Sequence, residues 1–266
     1  MSFRERVAGV DFSGARQAGL NIWIAEGRAT PKGVEIETLA RATDLTDGGR
    51  DFGSAMTALN AHLEALGDTL VGLDFPFSLP KPLIEQRSWT SFVKAFARDH
   101  QTSYDFRANC RARSEGRELK RRTDTEARVP WCAYNLRLYR QTWAGIRHVL
   151  APLVIAGHAR AIPMQTPAPG IPALAEICPA SFLKREGLYA PYKGRGDGPR
   201  RGRETILKEL VARGALRPLP GALRETVLAN QGGDALDAIL AAVGAARIDD
   251  PAPRDALDRI EARVYF

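Results

Sequence analysis

Five acidic side chains stand where acids are costly. Val7-Ala8-Gly9-Val10 runs into Asp11 and then Phe12-Ser13-Gly14, and Leu70-Val71-Gly72-Leu73 runs into Asp74 before Phe75-Pro76-Phe77. Glu176 is embedded in a third apolar run, Ala173–Pro179, and Asp234 and Asp237 open an apolar stretch that continues to Val243. An unpaired buried charge costs several kcal/mol or more, so acids at the ends of apolar runs imply a partner. A divalent metal cation is the economical one, because hard cations prefer carboxylate oxygens. For each acid taken alone, a turn cap or a surface charge is the competing reading.

Cationic residues are concentrated as well. Residues 107–122 and 184–203 each hold seven basic residues against two acidic ones, whereas the whole chain has a net charge of +7, so the remainder is acidic. Positive charge beside an acidic, cation-binding centre suits a polyphosphate ligand. Arginine-rich solvated faces are the plainer explanation. Ser13 and Gly14 either turn N–H groups and a hydroxyl towards a phosphate oxygen or simply close a tight turn. Lys193, Arg195 and Arg203 are candidate phosphate contacts. Trp131 and Tyr134 are candidates for stacking on bases or for the core.

The elements that must position these groups follow from periodicity. Residues 7–11, 20–25 and 34–39, separated by short glycine-containing turns, predict an antiparallel three-stranded meander. Helical spacing over 52–66 predicts a crossover helix, which sets the 70–74 strand parallel to the first and brings Asp11 and Asp74 to one sheet edge. Further helices are expected at 82–98, 134–150, 180–186, 204–213 and 233–247, with a strand at 173–178. The basic segment through Arg128 has no clear periodicity and reads as a mobile loop. Asp234 and Asp237, three residues apart, share a helix face.

At 266 residues, with 44% hydrophobic and 26% charged residues, the chain is expected to form one domain with its own core, which excludes a disordered chain. Residues 98–160 are expected to form an inserted helical and basic subregion. Cys110, Cys132 and Cys178 lack metal or disulfide spacing. No run reaches a membrane span and the N-terminus reads as a strand start, so the expected location is cytoplasmic.

The ordered motifs GVDFSGA (9–15), GLDFPFSLP (72–80), AEICPASFLK (175–184), PYKGR (191–195) and DALDAILAA (234–242) resemble the DUF429 family, predicted nucleases of ribonuclease H-like fold. The resemblance implies an α/β fold with a mixed five-stranded sheet flanked by helices and a helical, basic insertion after the fourth strand. It also implies that Asp11 and Asp74 are metal ligands, that Asp237 is the acid of the C-terminal helix, that Asp234 matches the first member of the i, i+3 pair of RuvC-type resolvases, and that Glu176 is a ligand or base. The implied activity is hydrolysis of DNA or RNA with two Mg²⁺ or Mn²⁺ ions about 3.5–4 Å apart. None of His62, His100, His148 and His158 falls in these motifs, as a carboxylate mechanism allows. Two rivals are an ATP-dependent phosphotransferase of actin or sugar-kinase fold, disfavoured by the lack of an internal repeat, and a nucleic-acid-binding module without turnover.

Overall fold

The computed structural model describes residues 4–266. Its centre is a mixed sheet of seven strands flanked by helices. Strands β1 (Arg6–Asp11), β2 (Trp23–Thr30) and β3 (Gly33–Arg41) form the antiparallel meander, with the four-residue helix α1 (Ala18–Asn21) before β2. Helix α2 (Phe52–Ala65), capped by Asp51 accepting from the Ser54 N–H at 3.1 Å, crosses over to β4 (Thr69–Leu73). β4 pairs parallel with β1, and every residue of β4 is buried, as expected of a strand covered on both faces.

Next come the helices α3 (Trp89–Asp99), α4 (Ser103–Arg113), α5 (Arg122–Glu126), α6 (Tyr139–Gly145) and α7 (Ala151–Ala156), with one π-turn joining the last two. The chain then returns to the sheet as β5 (Arg160–Ala161) and β6 (Ala173–Ile177). Four more helices, α8 (Pro179–Arg185), α9 (Asp197–Ala212), α10 (Gly221–Ala229) and α11 (Asp234–Ala246), precede α12 (Asp258–Glu261) and β7 (Val264–Tyr265). The strand order is β3-β2-β1-β4-β6-β5, with β7 also parallel to β6. Among the described residues no helix is long and apolar enough to cross a membrane.

Four expectations need correction. The sheet has seven strands rather than five, because the two-residue strands β5 and β7 both pair with β6. The second strand starts at Trp23 and runs to Thr30; residues 18–21 are helical, closed by the Ile22 N–H donating to Ala18. The basic segment is a loop only in part: residues 103–113 and 122–126 are helical, and residues 114–121 between them are irregular. Thr102 caps α4 by accepting from the Asp105 N–H at 3.1 Å, and Phe106 and Cys110, one turn apart, bury its inner face. The later Gly/Arg stretch is also half helical, since α9 begins at Asp197 rather than Glu204.

Strand alternation divides the core in two. Ala8, Val10, Val71 and Leu73 pack with α2, α3, α6 and α7 on one face, and Val7, Leu70, Ala173 and Ala175 pack with α9, α10 and α11 on the other. Gly9 and Gly72 belong to the second face by this alternation, and α11 lies directly over them. A Cβ on Gly9 would stand 2.1 Å from the Ala238 carbonyl oxygen, and one on Gly72 would stand 2.4 Å from that of Ala241.

Candidate active site

Asp11 ends β1 two residues beyond Gly9, and Asp74 follows β4 two residues beyond Gly72, so each acid continues the face that its glycine opens to α11. The Asp74 N–H donates to the Val10 carbonyl at 3.1 Å, extending the ladder by one bond and fixing the two acids side by side. Because the middle of α11 rests on the glycines, its first turn, with Asp234 and Asp237, meets the ends of β1 and β4. Asp11, Asp237 and Glu176 are buried, and Asp74 is partly so.

The electrostatics record this convergence. Burial, then the charges of Asp237, Asp74 and Asp234, push the Asp11 carboxyl well above the usual carboxylate range. Asp74 is pushed up to about 8 by burial and then by Asp237. Burial also raises Asp237 and Asp234, with Lys193 opposing both. Burial and crowding thus favour the protonated forms of these acids more than Lys193 favours their charged forms.

Lys193 is its internal counter-ion. The Nζ atom lies 2.6 Å from Asp237 Oδ2, while the Tyr192 hydroxyl donates to Asp237 Oδ1 at 2.7 Å. Burial pulls the ammonium pKa down, but the charges of Asp237 and Asp11 outweigh it and keep Lys193 protonated. The Tyr192–Lys193 segment is held from behind by Arg203, which donates to the Tyr192 carbonyl at 2.6 Å and to the Leu228 carbonyl at 2.8 Å. Arg203 is therefore buried and its fork is spent on backbone, which places it away from the phosphate contact expected of it. Arg195 is exposed two residues beyond Lys193.

Glu176 stands apart from the other acids for a simple reason. It follows Ala175 and precedes Ile177, both on the α11 face, so alternation sends its side chain to the opposite face. There Arg121 Nη1 donates to Oε2 at 2.8 Å, Arg121 Nη2 reaches Oε1 at 2.5 Å, and the Phe77 N–H donates to Oε2 at 2.9 Å. Arg121 is buried and also bridges Asp124 at 2.7 Å. Burial pushes Glu176 up and Arg121 opposes it, while its charge still adds to the raising of Asp74. Glu176 thus ties the insertion to the sheet, and both its oxygens are engaged.

Ser13 lies just past Asp11, its hydroxyl accepting from the Ala15 N–H at 3.3 Å, and a Cβ on Gly14 would stand 2.4 Å from the Arg140 carbonyl oxygen. That stretch is a turn packed against α6. Tyr134 is buried, its hydroxyl accepting from Leu119 N–H at 2.6 Å and donating to the Arg117 carbonyl at 2.9 Å, whereas Trp131 is 36% exposed. Three participants were not singled out from the sequence: Tyr192, Arg121, and Gln141, whose amide donates to the Asp74 carbonyl. Only Tyr192 had a signal, its place beside Lys193 in PYKGR.

A cleft of about 530 Å³ opens on Asp74, Asp237 and Glu176, with Lys193, Lys184, Trp131 and Tyr189 also in its lining; Asp11 and Asp234 are not part of that lining. In chemistry, the hard-oxygen donors with raised pKa values fit a divalent cation. In geometry, no group of three or more His, Cys, Asp or Glu among the described residues is drawn together as a ready cation site. Both oxygens of Asp237 already have partners, so a cation would have to displace Lys193. Comparison with family models, with curated proteins and with solved structures yields no match.

Proposed function

We propose that the chain is a divalent-cation-dependent nuclease of ribonuclease H-like fold that hydrolyses phosphodiester bonds of DNA or RNA. The observation that carries this reading is the placing of Asp11 and Asp74 side by side at two strand ends, both raised by burial and by the charge of Asp237, with Lys193 paired to Asp237 at 2.6 Å. Retaining so much like charge in one place costs stability, and a cation-binding site has a use for it. Two acids at neighbouring strand ends and a helix carrying Asp237 over them support the reading, in which the resemblance to DUF429 makes Asp11 and Asp74 metal ligands and Asp237 the acid of the C-terminal helix.

Asp11, Asp74 and Asp237 would hold Mg²⁺ or Mn²⁺, with Asp234 at the margin. Such ions, once held there, would supply a lowered pKa for bound water and positive charge for a phosphoryl oxygen. The chain's own groups do the rest. Tyr192 orients the Asp237 carboxylate through its hydrogen bond, and the Gln141 amide fixes the Asp74 backbone. Lys193, released from Asp237, supplies a positive charge to the substrate phosphate from the mouth of the cleft. Arg121 and Glu176 hold the Phe77 turn that follows Asp74.

The test is cleavage of single-stranded and duplex DNA and RNA with Mg²⁺, Mn²⁺ or chelator, in the native chain and in Asp74→Asn. Cleavage that needs the cation and disappears in the variant supports the proposal; cleavage that survives chelation and the variant removes it. The Lys193–Asp237 ion pair favours one other reading, a binding module with no turnover. Tight nucleic-acid binding indifferent to cations and to Asp74→Asn would select that reading.

A further inference from the structure

We infer that the cleft receives one unpaired nucleotide, its base against Trp131 and Tyr189 and its phosphate towards Asp74 and Asp237, so that the substrate is a single strand or a strand end. This rests on the reading of the site as one that acts on phosphodiesters.

Three features of the cleft converge on it. Its volume of about 530 Å³ is that of a pocket for one small ligand, the size of a nucleotide rather than of a duplex. Its wall carries two exposed rings from distant parts of the chain, Trp131 at 36% and Tyr189 at 57% exposure, whereas Tyr104, the other well-exposed aromatic among the described residues, lies outside it. A lone exposed ring needs no explanation, but two facing one cleft beside a charged floor do. Finally, each ring is paired with a cation: Lys184 Nζ lies 5.5 Å from the Tyr189 ring and the Arg137 guanidinium 5.1 Å from that of Trp131. Rings for base faces with lysine and arginine for the backbone are the elements of a single-strand platform. Unpaired bases, unlike paired ones, present those faces. DNA and RNA single strands share this chemistry.

The experiment is a fluorescence titration with short oligonucleotides carrying the adenine analogue aminopurine, as single-stranded DNA, as single-stranded RNA and as duplex. It is run in Ca²⁺ to separate binding from turnover. Stacking should quench the label in single strands, with the stronger response of DNA or RNA naming the source. Trp131→Ala and Tyr189→Ala should each weaken binding by roughly 5- to 150-fold, the equivalent of about 1–3 kcal/mol per stacked base. Trp131→Phe and Tyr189→Phe keep a ring and should bind within a few-fold of the native chain, so a loss caused by misfolding is distinguishable. Equal binding of duplex and single strand, with both alanine variants unchanged, overturns the inference. So does hydrolysis that Asp74→Asn abolishes and the alanine variants leave intact, and in that case the nuclease reading stands. Ring-dependent quenching with no hydrolysis under any cation supports the nucleotide subsite and removes the nuclease reading.

Discussion

Gly9 and Gly72 face each other across the parallel β1–β4 pair, and together they form the seat on which α11 lies. Backbone oxygens of Ala238 and Ala241 occupy the space where their side chains would be. This contact sets how far the first turn of α11 descends towards the strand ends, and so where Asp237 meets Asp11 and Asp74. Gly9→Ala or Gly72→Ala is predicted to lift the helix, costing about 3 kcal/mol, at the upper end of ordinary overpacking because backbone rather than a flexible side chain must move. Chemical denaturation measures this. Native stability in either variant would mean that α11 is free to shift and that the glycines do not set the site.

Neutralising an acid of the cluster should stabilise the protein. At neutral pH, Asp11→Asn and Asp74→Asn each remove a carboxyl that must take up a proton to enter a crowded, largely dry site, with an expected gain of about 1–4 kcal/mol, or about 2–4 °C in Tm per kcal/mol. A thermal melt without divalent cations reads the gain. A lower Tm in both variants would indicate that these carboxylates are needed for folding rather than held at its expense.

The pH dependence of stability has a definite sign. The Asp74 pKa rises from 3.8 to about 8 on folding, so between those values the native state holds a proton that the unfolded chain has released. This group's contribution to stability therefore falls as pH rises through that window and is fully lost above about 8. Asp74→Asn should make the stability curve flatter there, and Mn²⁺ should bind more tightly as pH rises, since it competes with the proton. An unchanged slope in the variant would place the titration elsewhere.

In the proposed function, Lys193 and a metal cation would compete for Asp237. Lys193→Met is predicted to tighten Mn²⁺ binding about tenfold, on the order of 1.4 kcal/mol. In the absence of metal the same variant should lose about 1–2 kcal/mol of stability. That is less than the about 3–5 kcal/mol of a fully buried broken pair, because the Lys193 side chain is 54% exposed. Calorimetric titration with Mn²⁺ decides the first point; weaker binding in the variant would make Lys193 a helper of the cation rather than its rival.

Arg121 and Glu176 test the difference between holding the site and being part of it. Arg121→Met leaves Glu176 and Asp124 buried without their cation and should cost about 3–5 kcal/mol. Glu176→Gln should lower the Tm less and keep the rise in Tm on adding Mn²⁺. Loss of that rise in Glu176→Gln would return Glu176 to the cation ligands.

The strands and the acids at their ends were legible because apolar runs, a terminal acid and a following proline or glycine are local signals. The same holds for α11, whose buried face is continuous in the sequence. What was not legible depends on contacts between distant segments. Arg121 reads as one more basic residue in a charged stretch, and its burial is decided by Glu176, 55 positions away. Arg203 reads as a phosphate contact until the Tyr192 and Leu228 carbonyls are seen to take its donors. Residues 103–113 were missed as a helix because only Phe106 and Cys110 point inward and the remaining positions are polar. Which face Glu176 takes was implicit in strand alternation, but what waits on that face was not.

Anomalous diffraction from crystals of the chain soaked in Mn²⁺ decides whether Asp11, Asp74 and Asp237 jointly hold a divalent cation, as proposed. Manganese shared by these three carboxylates is expected, with Lys193 Nζ moved off Asp237. Carboxylates that keep the Lys193 ion pair and hold no manganese at saturating Mn²⁺ would contradict the proposal.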